Sequence, residues 1–283
     1  MKTVSVFLCF LFSLSLSASE VVVLVPGFFN SFTPEYFSPT VVSAFTKKGY
    51  AVYIAKDLNP IGTIEENGAR LEKLLHSVEH TEKRKINFNI VGHSAGGFYA
   101  LWVAHTKKFN IKTLSTLSTP YLGIEFVQTW LDKSYLFSAL AELAYLDGLN
   151  QLTAGGVSTF LKSVRVSPAT LITAFGGSQS ERLDITDARN ISVPLLVTSH
   201  YISGKNDGIV GLNSALGLGA IKTYNETLAK QLISKSLAIQ LEHWEQVLEP
   251  SAFVILGIRN TSFIRNEQRR FYTALADYIS KQK

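Results

Sequence analysis

Short apolar segments alternate with longer segments whose apolar residues recur at helical spacing. Residues 20–25 are mainly Val and Leu, which is typical of a strand buried on both faces. Across residues 64–78, apolar and small side chains recur every three or four positions, which predicts an amphipathic helix. Further strands are predicted at 50–55, 86–91, 111–117 and 193–200, and further helices at 41–48, 95–105 and 266–279. This alternation predicts an α/β protein with a mostly parallel central sheet and helices on both faces.

One long segment interrupts the alternation. Between Pro120 and about Pro168 the chain has helical patterns and no convincing strand. Its apolar residues, from Phe126 to Leu146, are too many for the buried face of one helix. We therefore expect a helical cap or lid at about 121–168, over the edge of the sheet where the strands have their carboxyl ends.

The first 19 residues have the pattern of an export signal. Lys2 precedes an apolar run at 4–16, and small residues follow up to Ser19. This run is shorter than the roughly 20 residues that a transmembrane helix needs. A cleaved signal peptide is therefore predicted for 1–19 and a mature domain for 20–283. The only cysteine, Cys9, lies in the signal, so no disulfide is expected, which fits the bacterial periplasm or medium.

Composition and charge exclude several other classes of protein. Hydrophobic residues make up 46% of the 283 positions and charged residues only 17%, which excludes a disordered chain and indicates a large core. The net charge of +5 comes without a cluster of basic and aromatic residues, so no nucleic-acid partner is predicted. Neither G-x-x-x-x-G-K-[ST] nor G-x-G-x-x-G occurs, so no nucleotide or redox cofactor is expected.

The strongest chemical signal is Gly92-His93-Ser94-Ala95-Gly96, between a predicted strand and a predicted helix. In this context G-x-S-x-G predicts a sharp turn that presents the serine hydroxyl above the edge of the sheet. The following helix directs free N–H groups and its positive dipole end at the same place. A purely structural turn is the alternative, but the position between strand and helix favours Ser94 as a nucleophile.

A serine nucleophile needs a base, and the base needs an orienting acid, in the chain order Ser, Asp or Glu, His. Asp207 follows the predicted strand at 193–200 and is the expected acid, although an Asp in a plain turn is common. His243 is the only histidine after it and is the expected base, with His200 as the next candidate. His93, inside the elbow, is expected to brace the turn.

Two backbone amides are expected to form an oxyanion hole. One is the N–H of Ala95, the residue after the serine, and the other comes from the loop after the first strand. That loop begins Pro26-Gly27-Phe28, so the N–H of Phe28 is the candidate. The Phe28 side chain can equally serve ordinary packing at the rim.

In this order of motifs the chain resembles the bacterial family I triacylglycerol lipases, over most of the mature protein. The most specific stretch is Gly-Lys-Asn-Asp-Gly-Ile-Val at 204–210, because the family carries its catalytic Asp in a very similar run. His-Trp-Glu-Gln-Val at 243–247 is similar to the family's His-Leu-Asp-Glu-Val or -Ile. The resemblance implies an α/β-hydrolase fold with a mobile helical lid, acting on long-chain esters at oil–water interfaces.

The resemblance also implies a structural calcium, held near the catalytic histidine by two Asp carboxylates and carbonyl oxygens. The matching positions here are Asp187 and Glu245, with Glu249 nearby. Glu245 in place of Asp moves the carboxylate by one methylene, which hard-cation sites of fixed geometry do not easily accept. Glu245 as a surface helix residue is the alternative. The family also commonly has His-Gly where this chain has Pro26-Gly27.

The sequence therefore predicts an exported serine hydrolase, either a lipase or a long-acyl carboxylesterase, that meets its substrate at an oil–water or membrane interface. No cofactor is required for the chemistry. The alternatives are a phospholipase or short-chain carboxylesterase on the same fold, or a non-catalytic lipase-like binding protein. The sequence leaves open the acyl length, the head group and the need for a folding helper.

Overall fold

A computed structural model describes residues 20–28, 30–31, 35–125, 127, 147–178, 202–218, 220–235, 237–251 and 261–282. The predicted signal peptide, the strand expected at 193–200 and most of the apolar part of the expected lid lie outside the described residues. The lid and signal-peptide boundaries therefore remain predictions from the sequence.

Six parallel strands form the central sheet, in the order β2-β1-β3-β4-β5-β6. They are β1 (Val21–Val25), β2 (Ala51–Ile54), β3 (Asn87–His93), β4 (Asn110–Leu117), β5 (Leu171–Phe175) and β6 (Leu232–Ser234). Strand β1 pairs on both sides, so that Val21 lies opposite Ala51 of β2 and Phe88 of β3. Because all the pairings are parallel, the carboxyl ends of the strands meet at one edge of the sheet.

Helices lie between the strands and after them. The described helices are α1 (Pro39–Thr46), α2 (Ile64–Glu82), α3 (Gly96–Thr106), α4 (Asp147–Gln151), α5 (Ala154–Ser163), α6 (Leu212–Ala215), α7 (Ala220–Tyr224), α8 (Glu226–Gln231) and α9 (Thr261–Ser280). Side chains at their starts satisfy free backbone amides: Thr63 accepts from Glu66 N–H at α2, and Thr153 accepts from Gly156 N–H at α5. Among the described residues, no helix has the length and hydropathy of a membrane span.

Alternate residues of β1 belong to two separate hydrophobic cores. Val21, Val23 and Val25 pack in a core with α2, α3 and α5, whereas Val22 and Leu24 pack in a core with α1 and α9. This division follows from the two-residue period of a strand, which turns successive side chains to opposite faces. Both faces of the sheet are therefore covered.

The predicted α/β class, with a parallel sheet between two layers of helices, is confirmed. The strands and helices expected before residue 118 are present, with ends shifted by a few residues. Strands β5 and β6 were not predicted. Strand β5 is the five-residue apolar run LITAF, which the sequence analysis did not assign, and β6 has only three residues. Helices α4 and α5 occupy the last part of the segment expected to form the cap.

Candidate active site

Ser94 lies on the sharp turn between β3 and α3. Its φ of +55° lies in the left-handed region. A residue other than glycine adopts this conformation at a cost in free energy, so the surrounding structure must enforce it. Here the Ser94 N–H donates to Leu117 O at 2.9 Å, and the Thr119 hydroxyl donates to Ser94 O at 2.8 Å. The two hydrogen bonds to the end of β4 hold the serine in this conformation at the carboxyl edge of the sheet.

The loop after β1 lies directly against the serine. A Cβ atom on Gly27 would be 2.6 Å from Ser94 Cβ and 3.1 Å from its Oγ, so only glycine permits this approach. The next residue is Phe28, whose side chain is 8% exposed and belongs to the core that contains α2 and α3. Its side chain therefore packs inside the protein, and its backbone continues the loop beside the nucleophile.

Ala95 is fully buried and is the last residue before α3 begins. Backbone amides at the start of a helix have no acceptor within the helix, and the dipole makes this end positive. Ala95 thus follows Ser94 at the start of α3, and Phe28 follows the glycine that lies against Ser94, so the two candidate oxyanion residues belong to two different segments next to the serine.

Asp207 and His243 come together although 35 residues separate them. The His243 Nδ1 and Asp207 Oδ2 atoms are 2.9 Å apart, and the His243 N–H donates to the Asp207 carbonyl at 2.9 Å. Both side chains are buried, with exposures of 2% for His243 and 0% for Asp207. An ionised carboxylate can only accept, so Nδ1 carries the proton in this pair and Nε2 is left as the basic nitrogen.

The Asp207 carboxylate is surrounded by donors. Oδ1 accepts from the N–H groups of Ile209 and Val210, at 3.1 and 2.8 Å, and Oδ2 also accepts from the Gln246 side chain at 2.8 Å. Burial alone raises the pKa of this carboxyl, but the charge of His243 and the hydrogen bonds outweigh burial and lower the pKa below its ordinary value of 3.8. Asp207 is therefore ionised throughout the neutral range.

His93 connects the serine turn to the histidine of the pair. Its ring centroid is 4.6 Å from that of His243, and its Nδ1 is 2.8 Å from the Tyr36 hydroxyl. Burial, together with the nearby charge of His243, lowers the pKa of His93 well below its ordinary value of 6.5. A neutral, packed His93 fits the expected role as a brace for the turn, and it brings His243 to the same part of the sheet edge as Ser94.

Only part of the predicted calcium site lies within the described residues. Asp187 lies outside the described residues, as does His200, the second candidate for the base. Glu245 is 2% exposed and its Oε2 accepts from Glu242 N–H at 3.3 Å, so the alternative of a surface helix residue is wrong. The Glu249 carboxylate binds the Arg265 guanidinium instead.

No group of three or more His, Cys, Asp or Glu side chains in the described part of the chain is arranged to hold a metal. Glu245 is thus one buried carboxylate of the pair that the resemblance implies, and its partner Asp187 is not described. The calcium site stays a prediction.

Sequence reasoning missed the residues that support the Asp207–His243 pair. Gln246 and Ser118 are buried and hydrogen-bonded to each other, and Tyr36 contacts His93. Gln246 lies in the run at 243–247 that resembles the family I lipases, but that run gives no partner for its amide, and Ser118 and Tyr36 lie in no motif. Their partners are far away in the chain, so no local pattern could have identified these contacts.

No protein-family model matches the chain, and no curated protein sequence is significantly similar to it. Solved structures do match. The metagenomic carboxyl esterase MGS0156 aligns with a TM-score of 0.68 and 14% identity, over 94% of this chain and 77% of that one. Staphylococcus hyicus lipase aligns with a TM-score of 0.63 and 14% identity, over 93% of this chain and 96% of that one.

The Bacillus licheniformis lipase BlEst2 is similar in two forms. Its mature form aligns with a TM-score of 0.58 and 19% identity, over 81% of this chain and 86% of that one. In its propeptide form the values are 0.56 and 22%, over 70% of this chain, and the chain spans only 43% of that longer protein. At these identities the likeness shows the fold: the chain has the lipase-like α/β-hydrolase fold.

The buried pair predicts a pH-dependent contribution to stability. In Asp207→Asn one acceptor oxygen becomes an NH2 group, so at least one of the donors around this side chain loses its acceptor. The free energy of unfolding at pH 7 should therefore fall by about 3 kcal/mol. Because the folded pKa of Asp207 is lowered, its stabilisation is complete above the ordinary value of 3.8 and is lost as the pH falls through the folded value.

The difference in melting temperature between the protein and Asp207→Asn should therefore be largest near neutral pH and shrink below about pH 4. Thermal unfolding followed by circular dichroism across this range measures it. The control is Asp277→Asn, since Asp277 is 41% exposed and pairs with Lys48 at the surface. A difference for Asp207→Asn that is equal at pH 7 and pH 3 would contradict the assignment.

Proposed function

We propose that the protein is an exported serine hydrolase that cleaves carboxylic esters of long-chain acyl lipids. The observation that carries the proposal is the buried Asp207–His243 hydrogen bond, beside a serine held at φ +55° on a strand–helix turn. A nucleophile, an acid and a base in this chain order, on an α/β-hydrolase fold, form the machinery of acyl transfer.

In the proposed reaction, Ser94 Oγ attacks the ester carbonyl carbon while His243 Nε2 takes the hydroxyl proton. Asp207 holds the imidazole in the tautomer that leaves Nε2 free and stabilises the positive charge that the ring acquires. The carbonyl oxygen becomes an oxyanion, which the N–H groups of Phe28 and Ala95 stabilise. Loss of one such donor typically lowers the rate by roughly a hundredfold to a thousandfold.

The tetrahedral intermediate then collapses, and His243 delivers its proton to the departing alcohol. The acyl group remains on Ser94 as an ester. Water attacks this acyl-enzyme by the same steps, with His243 again taking the proton, so that the fatty acid leaves and the serine is restored. No metal or redox group takes part in these steps. The calcium proposed at Asp187 and Glu245 would be structural.

Two features support a lipid substrate. Among the structures similar to this chain are two that are named lipases and one that is named a carboxyl esterase. The sequence is also rich in apolar residues, including the surplus between residues 126 and 146 that is expected to form a cap. The proposed export, through a signal peptide at 1–19, would bring the protein to lipid outside the cytoplasm.

A phospholipase or a short-chain esterase would use the same three residues, because the pocket and not the acid–base chemistry selects the ester. A non-catalytic binding protein is disfavoured by the site itself. Burying the Asp207 carboxylate together with the His243 imidazole costs free energy of desolvation. A scaffold that only binds lipid gains nothing from this pair.

The first test is substitution of the three residues. Ser94→Ala, Asp207→Ala and His243→Ala should each lower kcat by about a thousandfold to a millionfold, and double variants should lose little more because the residues act as a unit. Hydrolysis of a nitrophenyl ester measures kcat, and circular dichroism checks folding. His80→Ala, on the exposed face of α2, is the matched control. Near-normal turnover in His243→Ala would show that the base is misassigned.

The second test concerns the substrate class. We expect kcat/KM to increase along a series of glycerol esters from butyryl to palmitoyl, since each buried methylene adds about 0.8 kcal/mol of binding free energy. Release of fatty acid measured by titration gives the rates. Preference for the butyryl ester would instead indicate a short-chain esterase. Faster cleavage of phosphatidylcholine than of the matching triacylglycerol would indicate a phospholipase.

A further inference from the structure

Gln246 lies against the carboxylate of Asp207, on the side away from the peptide turn that holds its other oxygen. Its side chain is fully buried. The Nε2 group donates to Asp207 Oδ2 at 2.8 Å, and the Oε1 atom accepts from the Ser118 hydroxyl at 2.9 Å. The Gln246 amide therefore joins the proposed catalytic acid to the end of β4, where Ser118 follows Leu117.

The surroundings determine which way this amide faces. The ionised Asp207 carboxylate can only accept, and the Ser118 hydroxyl, which accepts from the Gly177 N–H at 3.1 Å, still has its hydrogen to donate to Gln246. The carbonyl end of the amide must then face Ser118 and the NH2 end must face Asp207. A Cβ atom on Gly177 would overlap the Gln246 amide, so a glycine at this position leaves the space that the amide needs.

The donors around Asp207 come from three different parts of the site. The N–H groups of Ile209 and Val210 belong to the turn that carries Asp207 itself, and His243 Nδ1 belongs to the base. Gln246 Nε2 donates to Oδ2, the oxygen that His243 Nδ1 also contacts, but it belongs neither to the turn nor to the base. It is also neutral, so it stabilises the carboxylate without adding a charge beside His243.

We infer that Gln246 is a positioning residue of the active site: its amide anchors Asp207 Oδ2 in line with His243 and keeps a single negative charge beside the imidazole. This inference rests on the proposed roles of Asp207 and His243. Gln246 touches neither the reacting atoms nor the substrate, so it acts only through the acid.

Two substitutions, Gln246→Met and Gly177→Ala, test this positioning role. Gln246→Met keeps the length of the side chain and removes the donor, which leaves Asp207 Oδ2 with one bond fewer. It should lower kcat by about tenfold to a hundredfold, the equivalent of one buried hydrogen bond to a charged group. The KM should stay within about twofold of the original value, because the substrate does not contact this position.

The matched control is Gln231→Met, because Gln231 precedes β6 and donates to Ser167 O at the opposite edge of the sheet. This variant should keep the kcat and KM of the unsubstituted protein.

Steady-state kinetics, with melting temperatures for each variant, distinguish the outcomes. A kcat for Gln246→Met equal to that of Gln231→Met would overturn the inference even in an active enzyme. Absence of ester hydrolysis in the unsubstituted protein would instead contradict the proposed function.

Gly177→Ala is the second variant, and it keeps the inference testable if Gln246→Met does not fold. The new methyl group would displace the Gln246 amide from Asp207 without removing it. Gly177→Ala should then reproduce the loss of kcat seen in Gln246→Met, again at unchanged KM. Full kcat in a folded Gly177→Ala or Gln246→Met variant would show that the amide does not position the acid.

Discussion

The hydrogen bond between Asp207 and His243 exists only because the protein can keep an ionised carboxylate away from water. Removal of a carboxylate from water costs several kcal/mol unless hydrogen bonds replace the lost hydration. Here the turn at 206–210, the imidazole and the Gln246 amide donate to both oxygens. The turn is itself fixed, because the Gly208 N–H donates to the Asn206 side chain at 2.9 Å. All of these contacts therefore stabilise the same buried carboxylate.

The parallel sheet is what brings the remaining groups to this carboxylate. The strands β1, β3, β4 and β5 all end at the same edge, and the residues that follow them are Gly27, Ser94, Ser118 and Gly177. Ser94 and Ser118 both have positive φ angles, so backbone strain is stored at the ends of two neighbouring strands. The sheet is buried on both faces and can hold these conformations because the two cores resist deformation.

Much of this arrangement could be predicted from the sequence because it follows local rules. The buried strands show as Val-rich runs, Ser94 lies in a motif with defined neighbours, and Asp207 and His243 follow in a fixed order. The pairing of Gln246 with Ser118 could not be predicted, since the two lie 128 positions apart in the chain and are joined only by the fold. The resemblance singled out Glu245, but the burial of its side chain shows only in the structure. Pattern therefore predicted the groups proposed to react, and the structure was needed for the groups that hold them.

The central claim is that the Asp207–His243 pair serves Ser94 as a nucleophile. It is tested most directly by treating the protein with a serine-reactive alkyl phosphonate and locating the adduct by peptide mass spectrometry. The account predicts one phosphonate on the peptide that contains Ser94, none on Ser94→Ala, and much slower labelling of His243→Ala. Labelling of a different serine, or equal labelling of the protein and its Ser94→Ala variant, would contradict it.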